Sequence, residues 1–142
     1  MKRYSTLFFG LLMIVSAFTA CSDEEVDPSV TEYERIEGTW IIESQSLLGA
    51  EVPGDGSSLT FNFCGVDTAC DGIDYLASDE TSGTFSFSFN ADKSKIIFED
   101  NDAEAGGYYD GEWTIDEFTS TSLTISVDTG IFGVTTLELR KQ

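Results

Sequence analysis

The chain has 142 residues, with 26 acidic against 7 basic side chains, a net charge of −19 and no histidine. A surface of that sign repels phosphate backbones, so nucleic acid is excluded as a partner. The missing imidazole excludes Ser-His-Asp and Cys-His nucleophile systems and histidine-built zinc sites.

The chain opens Met1-Lys2-Arg3 and continues with an apolar run from Leu7 to Val15, broken only by Gly10. Small residues Ala17, Thr19 and Ala20 then precede Cys21. A basic start, a short apolar segment and a small-residue exit predict a secretory signal over 1–20, and the run is too short to span a bilayer. Phe18-Thr19-Ala20-Cys21 resembles the lipobox of bacterial lipoproteins, in which the cysteine becomes the lipidated first residue of the mature protein. The resemblance implies that Cys21 carries acyl chains and makes the membrane a partner. At ~0.8 kcal/mol per buried methylene, lasting anchorage needs more than one chain. The acidic stretch Ser22-Asp23-Glu24-Glu25-Val26-Asp27 is expected to be a solvated tether, assigned to 21–30. It also looks like the acidic export signal that sends some Gram-negative lipoproteins to the outer leaflet, and the two readings are compatible. The expected location is the bacterial outer membrane, lipid-anchored and facing outside.

Without residues 1–20 the chain keeps 122 residues, and losing Lys2 and Arg3 takes the charge to −21. That is one small domain, assigned to 31–142. Ser29 and Glu32 have the spacing of a helix cap, so 29–37 is expected to form a turn or two plugging one end. From Thr39 to Leu48 a strand is predicted, with Trp40, Ile42 and Ser44 on one face and Ile41 and Glu43 on the other. Gly49 to Ser58 lacks periodicity and is expected to be a loop. Leu59 to Phe63 alternates again; Ile73 to Ala77 is left open between strand and packed loop. In Gly83 to Asn90, phenylalanine and serine alternate, placing Phe85, Phe87 and Phe89 on one face. A turn at Ala91–Ser94 leads to a strand over Lys95–Glu99 with Ile96 and Phe98 together. Further strands are expected at Glu112–Asp116, Ser122–Val127 and Val134–Arg140.

Cys64 and Cys70 remain after Cys21 is assigned to lipid. An even pair in an oxidising compartment predicts a structural disulfide, about 2 kcal/mol for so short a loop. Asp100-Asn101-Asp102-Ala103-Glu104 has oxygen ligands at alternate positions, as calcium loops do. Its glycine falls at Gly106, the seventh position, and its closing acid at Glu112, one place late, so a solvated loop is preferred and no metal is assigned. Carboxylates are plentiful, yet nothing singles out a catalytic pair, so neither an enzyme nor a cofactor is expected.

Seven or eight short strands, tight turns and no long helix predict an all-β protein, an antiparallel up-and-down barrel, with a β-sandwich as the alternative. Gly38-Thr39-Trp40 at the start of the first strand and Arg140 at the end of the last resemble the lipocalin pattern. There a Gly-x-Trp packs its indole at the closed end of the barrel, and an arginine of the final strand lies across it. From about Ile36 to Arg140 the chain looks like the lipocalin-like lipoproteins of bacterial envelopes, which share a second tryptophan strand like Glu112-Trp113-Thr114-Ile115. No arginine-centred motif appears in mid-chain, and the Cys64–Cys70 loop is not general to that family.

Phe61, Phe63, Phe85, Phe87, Phe89, Phe98 and Trp113 are the candidate ligand-binding residues. An eight-stranded barrel is either filled by such side chains or hollow enough for a ligand, and both readings stay open. The expectation is a barrel binding a small apolar or amphipathic ligand, with Gly49–Ser58 as a lid. The alternative is a solid-core module meeting a protein or glycan through its loops.

Overall fold

The computed structural model describes residues 32–100 and 109–142. The expected signal peptide, Cys21, the acidic tether, the Ser29 cap and most of the calcium-like pattern lie outside them. Nine strands form one sheet: β1 (Gly38–Leu47), β2 (Ala50–Pro53), β3 (Ser58–Phe61), β4 (Cys70–Leu76), β5 (Thr81–Phe89), β6 (Lys95–Asp100), β7 (Gly111–Phe118), β8 (Ser122–Asp128) and β9 (Val134–Lys141). From β3 to β9 each strand pairs antiparallel with the next, and β9 pairs back onto β1. The result is a closed eight-strand barrel with one extra strand, so the barrel expectation holds over the sandwich.

The extra strand is β2, and it corrects the loop expected over Gly49–Ser58. Leu48 and Gly49, both at positive φ (55° and 76°), make a two-residue hairpin turn. The chain folds straight back onto β1, pairing Leu47 with Ala50 and Ser44 with Pro53. Turns of this kind match strand twist and need left-handed residues, which Gly49 supplies. β2 therefore covers the second half of one β1 edge, and β3 covers the first half. Residues 54–57 bulge out between them. Gly54 crosses directly over the β1 backbone, where an added Cβ would fall 1.8 Å from the Ile42 carbonyl oxygen.

The Phe/Ser alternation of β5 is observed: Phe85, Phe87 and Phe89 are buried inside, with Ser86 and Ser88 more exposed. Residues 73–77, left open from sequence, belong mostly to β4. That strand turns Cys70, Gly72 and Asp74 inward and leaves Ile73 and Tyr75 exposed. Gly72 is opposite Phe85, and an added Cβ would land 2.2 Å from the Phe85 ring, so the ring occupies the space a side chain would need. The Cys64–Cys70 disulfide is formed and ties the β3–β4 connection to the start of β4.

Two bulges change which face the side chains take. β1 shifts register against β9 between Ile42 and Ser44, leaving Glu43 as the extra residue. Side-chain alternation has period two, so one extra residue reverses it. Ser44 was expected to share the face of Trp40 and Ile42. It points outward instead, and its hydroxyl donates to Glu138 Oε2 at 2.8 Å. β7 shifts in the same way between Ile115 and Glu117.

Candidate ligand-binding cavity

The two ends of the barrel differ. At one end a 3₁₀ turn (Glu34–Ile36) plugs the opening, with Ile36 fully buried. The Trp40 indole N–H donates to the Ile36 carbonyl at 2.7 Å. Tyr33 stands edge-on to Phe89 at 4.9 Å, and Phe118 packs near both Tyr33 and Trp40. Gly38, at φ +114°, lies against the Lys141 stem: an added Cβ would be 3.2 Å from Lys141 Cε. Lys141 Nζ sits 5.5 Å from the Trp40 ring centroid and donates to the Arg35 carbonyl at 2.8 Å.

The cation over the indole is thus Lys141, where the lipocalin resemblance implied Arg140. Leu137 and Leu139 point inward on β9, so alternation turns Arg140 outward, where it pairs with Glu43. Lys141 takes the inward place beside Trp40, its register partner.

Above the plug the barrel is solid. Phe61 meets Phe87 at 5.0 Å and Phe85 at 5.6 Å, and Phe85 meets Phe98 at 5.4 Å. These rings and Phe89 are at most 8% exposed, while Phe63 is half-buried against them beyond the end of β3. Six of the seven aromatic candidates therefore pack into this core.

The seventh, Trp113, marks where the filling stops. Toward the other end is a cavity of about 380 Å³, near the low end of the range of roughly 300–1,000 Å³ typical of small-molecule sites. Its apolar wall comes from Ile42 and Leu47 of β1, Val52 of β2, Leu76 of β4, Val127 of β8 and Leu137 of β9. Tyr109 and Trp113 form its floor on the β7 side, held together by a Trp113 Nε1–H bond to the Tyr109 carbonyl at 2.8 Å. Gln45, Ser57, Ser78, Thr129 and Thr135 add polar groups, and Asp55 and Asp79 the charged ones. The Glu43 bulge brings Gln45 and Leu47 to this wall. At the lip, Leu48, Ile131 and Phe132 stand exposed at 70%, 94% and 61%.

The residues expected to form a lid, 49–58, instead make a strapped wall. Ser57 is buried; its carbonyl accepts from Ile42 N–H at 2.9 Å and its hydroxyl from Ala77 N–H at 3.0 Å. Gly54 N–H donates to the Glu43 carbonyl at 2.7 Å. Asp55 Oδ1 accepts from Ser57 N–H at 2.9 Å, and hydrogen bonds from the Ser57 side chain and backbone hold the Asp55 carboxyl below its ordinary pKa. Among the described residues no group of three or more Cys, Asp or Glu side chains is arranged to hold a metal ion. Glu112, the last acid of the calcium-like pattern, is paired with Lys95 at 2.8 Å.

The phenylalanine pattern marks the core, and most of the cavity wall comes from other residue types. Val127 and Leu137 were legible as inward positions of alternating strands. Gln45 and Leu47 were not, because a bulge leaves no mark in composition.

A closed antiparallel barrel, plugged beside a Gly-x-Trp and hollow at the other end, is the lipocalin-like fold. Solved structures bear this out. A lipocalin-like protein from Bacteroides uniformis matches at TM-score 0.51 and 18% identity, over 76% of this chain and 99% of that one. Japanin from Rhipicephalus appendiculatus, solved bound to cholesterol, matches at TM-score 0.51 and 12% identity, over 73% of this chain and 74% of that one. No protein-family model matches the sequence, and no curated protein sequence matches it.

Proposed function

We propose that this is a lipid-anchored envelope protein whose barrel binds one small apolar or amphipathic molecule in the open-end cavity. The observation that carries the reading is the division of the interior: aromatic rings fill the plugged end, and a cavity with an apolar wall and a few polar groups opens at the other. A fold shared with a cholesterol-bound barrel supports the same reading.

Cys21 supplies the anchor and the acidic tether its spacing from the bilayer. The first described residues, 32–36, lie at the plugged end, opposite the mouth. The outer leaflet is the proposed location. Protease shaving of intact cells tests it: changing Asp23, Glu24 and Glu25 to alanine should protect the domain, and unaltered shaving would remove the export role. Cys21→Ser should release the protein from membranes.

Binding is tested by titration with N-phenyl-1-naphthylamine, a neutral apolar dye. Saturable one-site enhancement is expected, abolished by Thr135→Trp, which fills the cavity from a half-buried wall position. No binding in the wild type would favour the loop-borne alternative, for which the exposed Ile131 and Phe132 are the relevant observation.

A further inference from the structure

The cavity's charged groups are all of one sign. Among the described residues Asp55 and Asp79 line it, and no lysine or arginine does. Each described cation is engaged or placed elsewhere. Lys95 pairs with Glu112, Arg140 with Glu43, and Lys141 caps Trp40. Arg35 belongs to the plug and Lys93 to the β5–β6 turn at the same end. A strand of seven residues at ~3.3 Å each spans roughly 23 Å, too far for these side chains to reach the mouth.

We infer that the cavity selects its ligand by charge, taking an apolar body with a cationic, ammonium-type head and turning away the equivalent carboxylate. This inference rests on the binding reading above. Asp55 is held in place before any ligand arrives, because its turn hangs on Ser57, and Ser57 is tied to both Ile42 and Ala77. A carboxylate fixed at a mouth with low-dielectric walls focuses the field of a chain carrying −19. The aromatic lining adds to the preference, since Tyr109 and Trp113 supply π systems that attract a cation lying over a ring face. A carboxylate head would enter next to two like charges with no partner to neutralise it.

The test is calorimetric titration of the folded chain with three probes of equal length: octylammonium, octanol and octanoate, near neutral pH. Octylammonium should bind about tenfold or more tighter than octanoate, with octanol between, and the gap should narrow in high salt. Asp79→Asn, in the exposed β4–β5 turn, and Asp55→Asn should each narrow the gap between octylammonium and octanoate. Equal binding of all three probes, or tighter octanoate, overturns charge selection and leaves the cavity reading standing. Failure of all three to bind overturns both.

Discussion

Gly72 shows how a single atom sets the packing of this barrel. A Cβ there would overlap the Phe85 ring at 2.2 Å, and Phe85 is itself packed against Phe61 and Phe98. Gly72→Ala should therefore destabilise by about 1–3 kcal/mol, an overpacking cost. Urea denaturation measures it, and a neutral result would mean the ring has room to move. Asp55 is the corresponding case in polar terms. Its folded pKa is depressed by the Ser57 hydrogen bonds, so the stability it contributes is present above the unfolded carboxylate pKa and is lost as pH falls through the folded one. The melting-temperature gap between the wild type and Asp55→Ala should therefore close on acidification. A gap constant down to strong acid would contradict the assignment.

Among the elements, β1 does most to separate the two ends, and it does so with one extra residue. Before Glu43 its inward side chains are Trp40, in the core, and Ile42, which borders both core and cavity; after it, Gln45 and Leu47 face the cavity. The Trp40 end makes a direct prediction about which cation matters. Lys141→Met loses a cation–π contact and the bond to the Arg35 carbonyl, about 1–2 kcal/mol in total. Arg140→Met loses an exposed ion pair, about 0–1 kcal/mol. Thermal denaturation of the two variants compares them, and a larger loss at Arg140 would restore the role implied by the family pattern.

These elements also show what the sequence could reveal. Alternation made β5, β6, β8 and β9 legible with their inward residues, because a half-buried strand carries a period of two. β2 left no such signal: Ala50-Glu51-Val52-Pro53 is short, exposed on both faces and held by its turn and by β1. The faces of Ser44 and Arg140 were set by register, which depends on partner strands and bulges that local composition does not encode.

At the scale of the molecule, stability and binding are assigned to different ends of one barrel. Phe87, 1% exposed and away from the cavity, should cost about 3–5 kcal/mol when changed to alanine, without altering dye affinity in the folded fraction. Thr135→Trp should do the reverse. The charges are segregated along the same axis: the described lysines and arginines are at the plugged end or pair along the outer wall, and the mouth carries carboxylates alone.

The two tryptophans report on these two ends separately, Trp40 from the plug and Trp113 from the cavity floor. Following both indole N–H signals by nuclear magnetic resonance during a titration with octanol tests the division of the interior most directly. The Trp113 signal should shift saturably while the Trp40 signal holds still. Movement of Trp40 with Trp113 unchanged, or no movement of either at saturating octanol, would contradict a barrel that is solid at one end and receptive at the other.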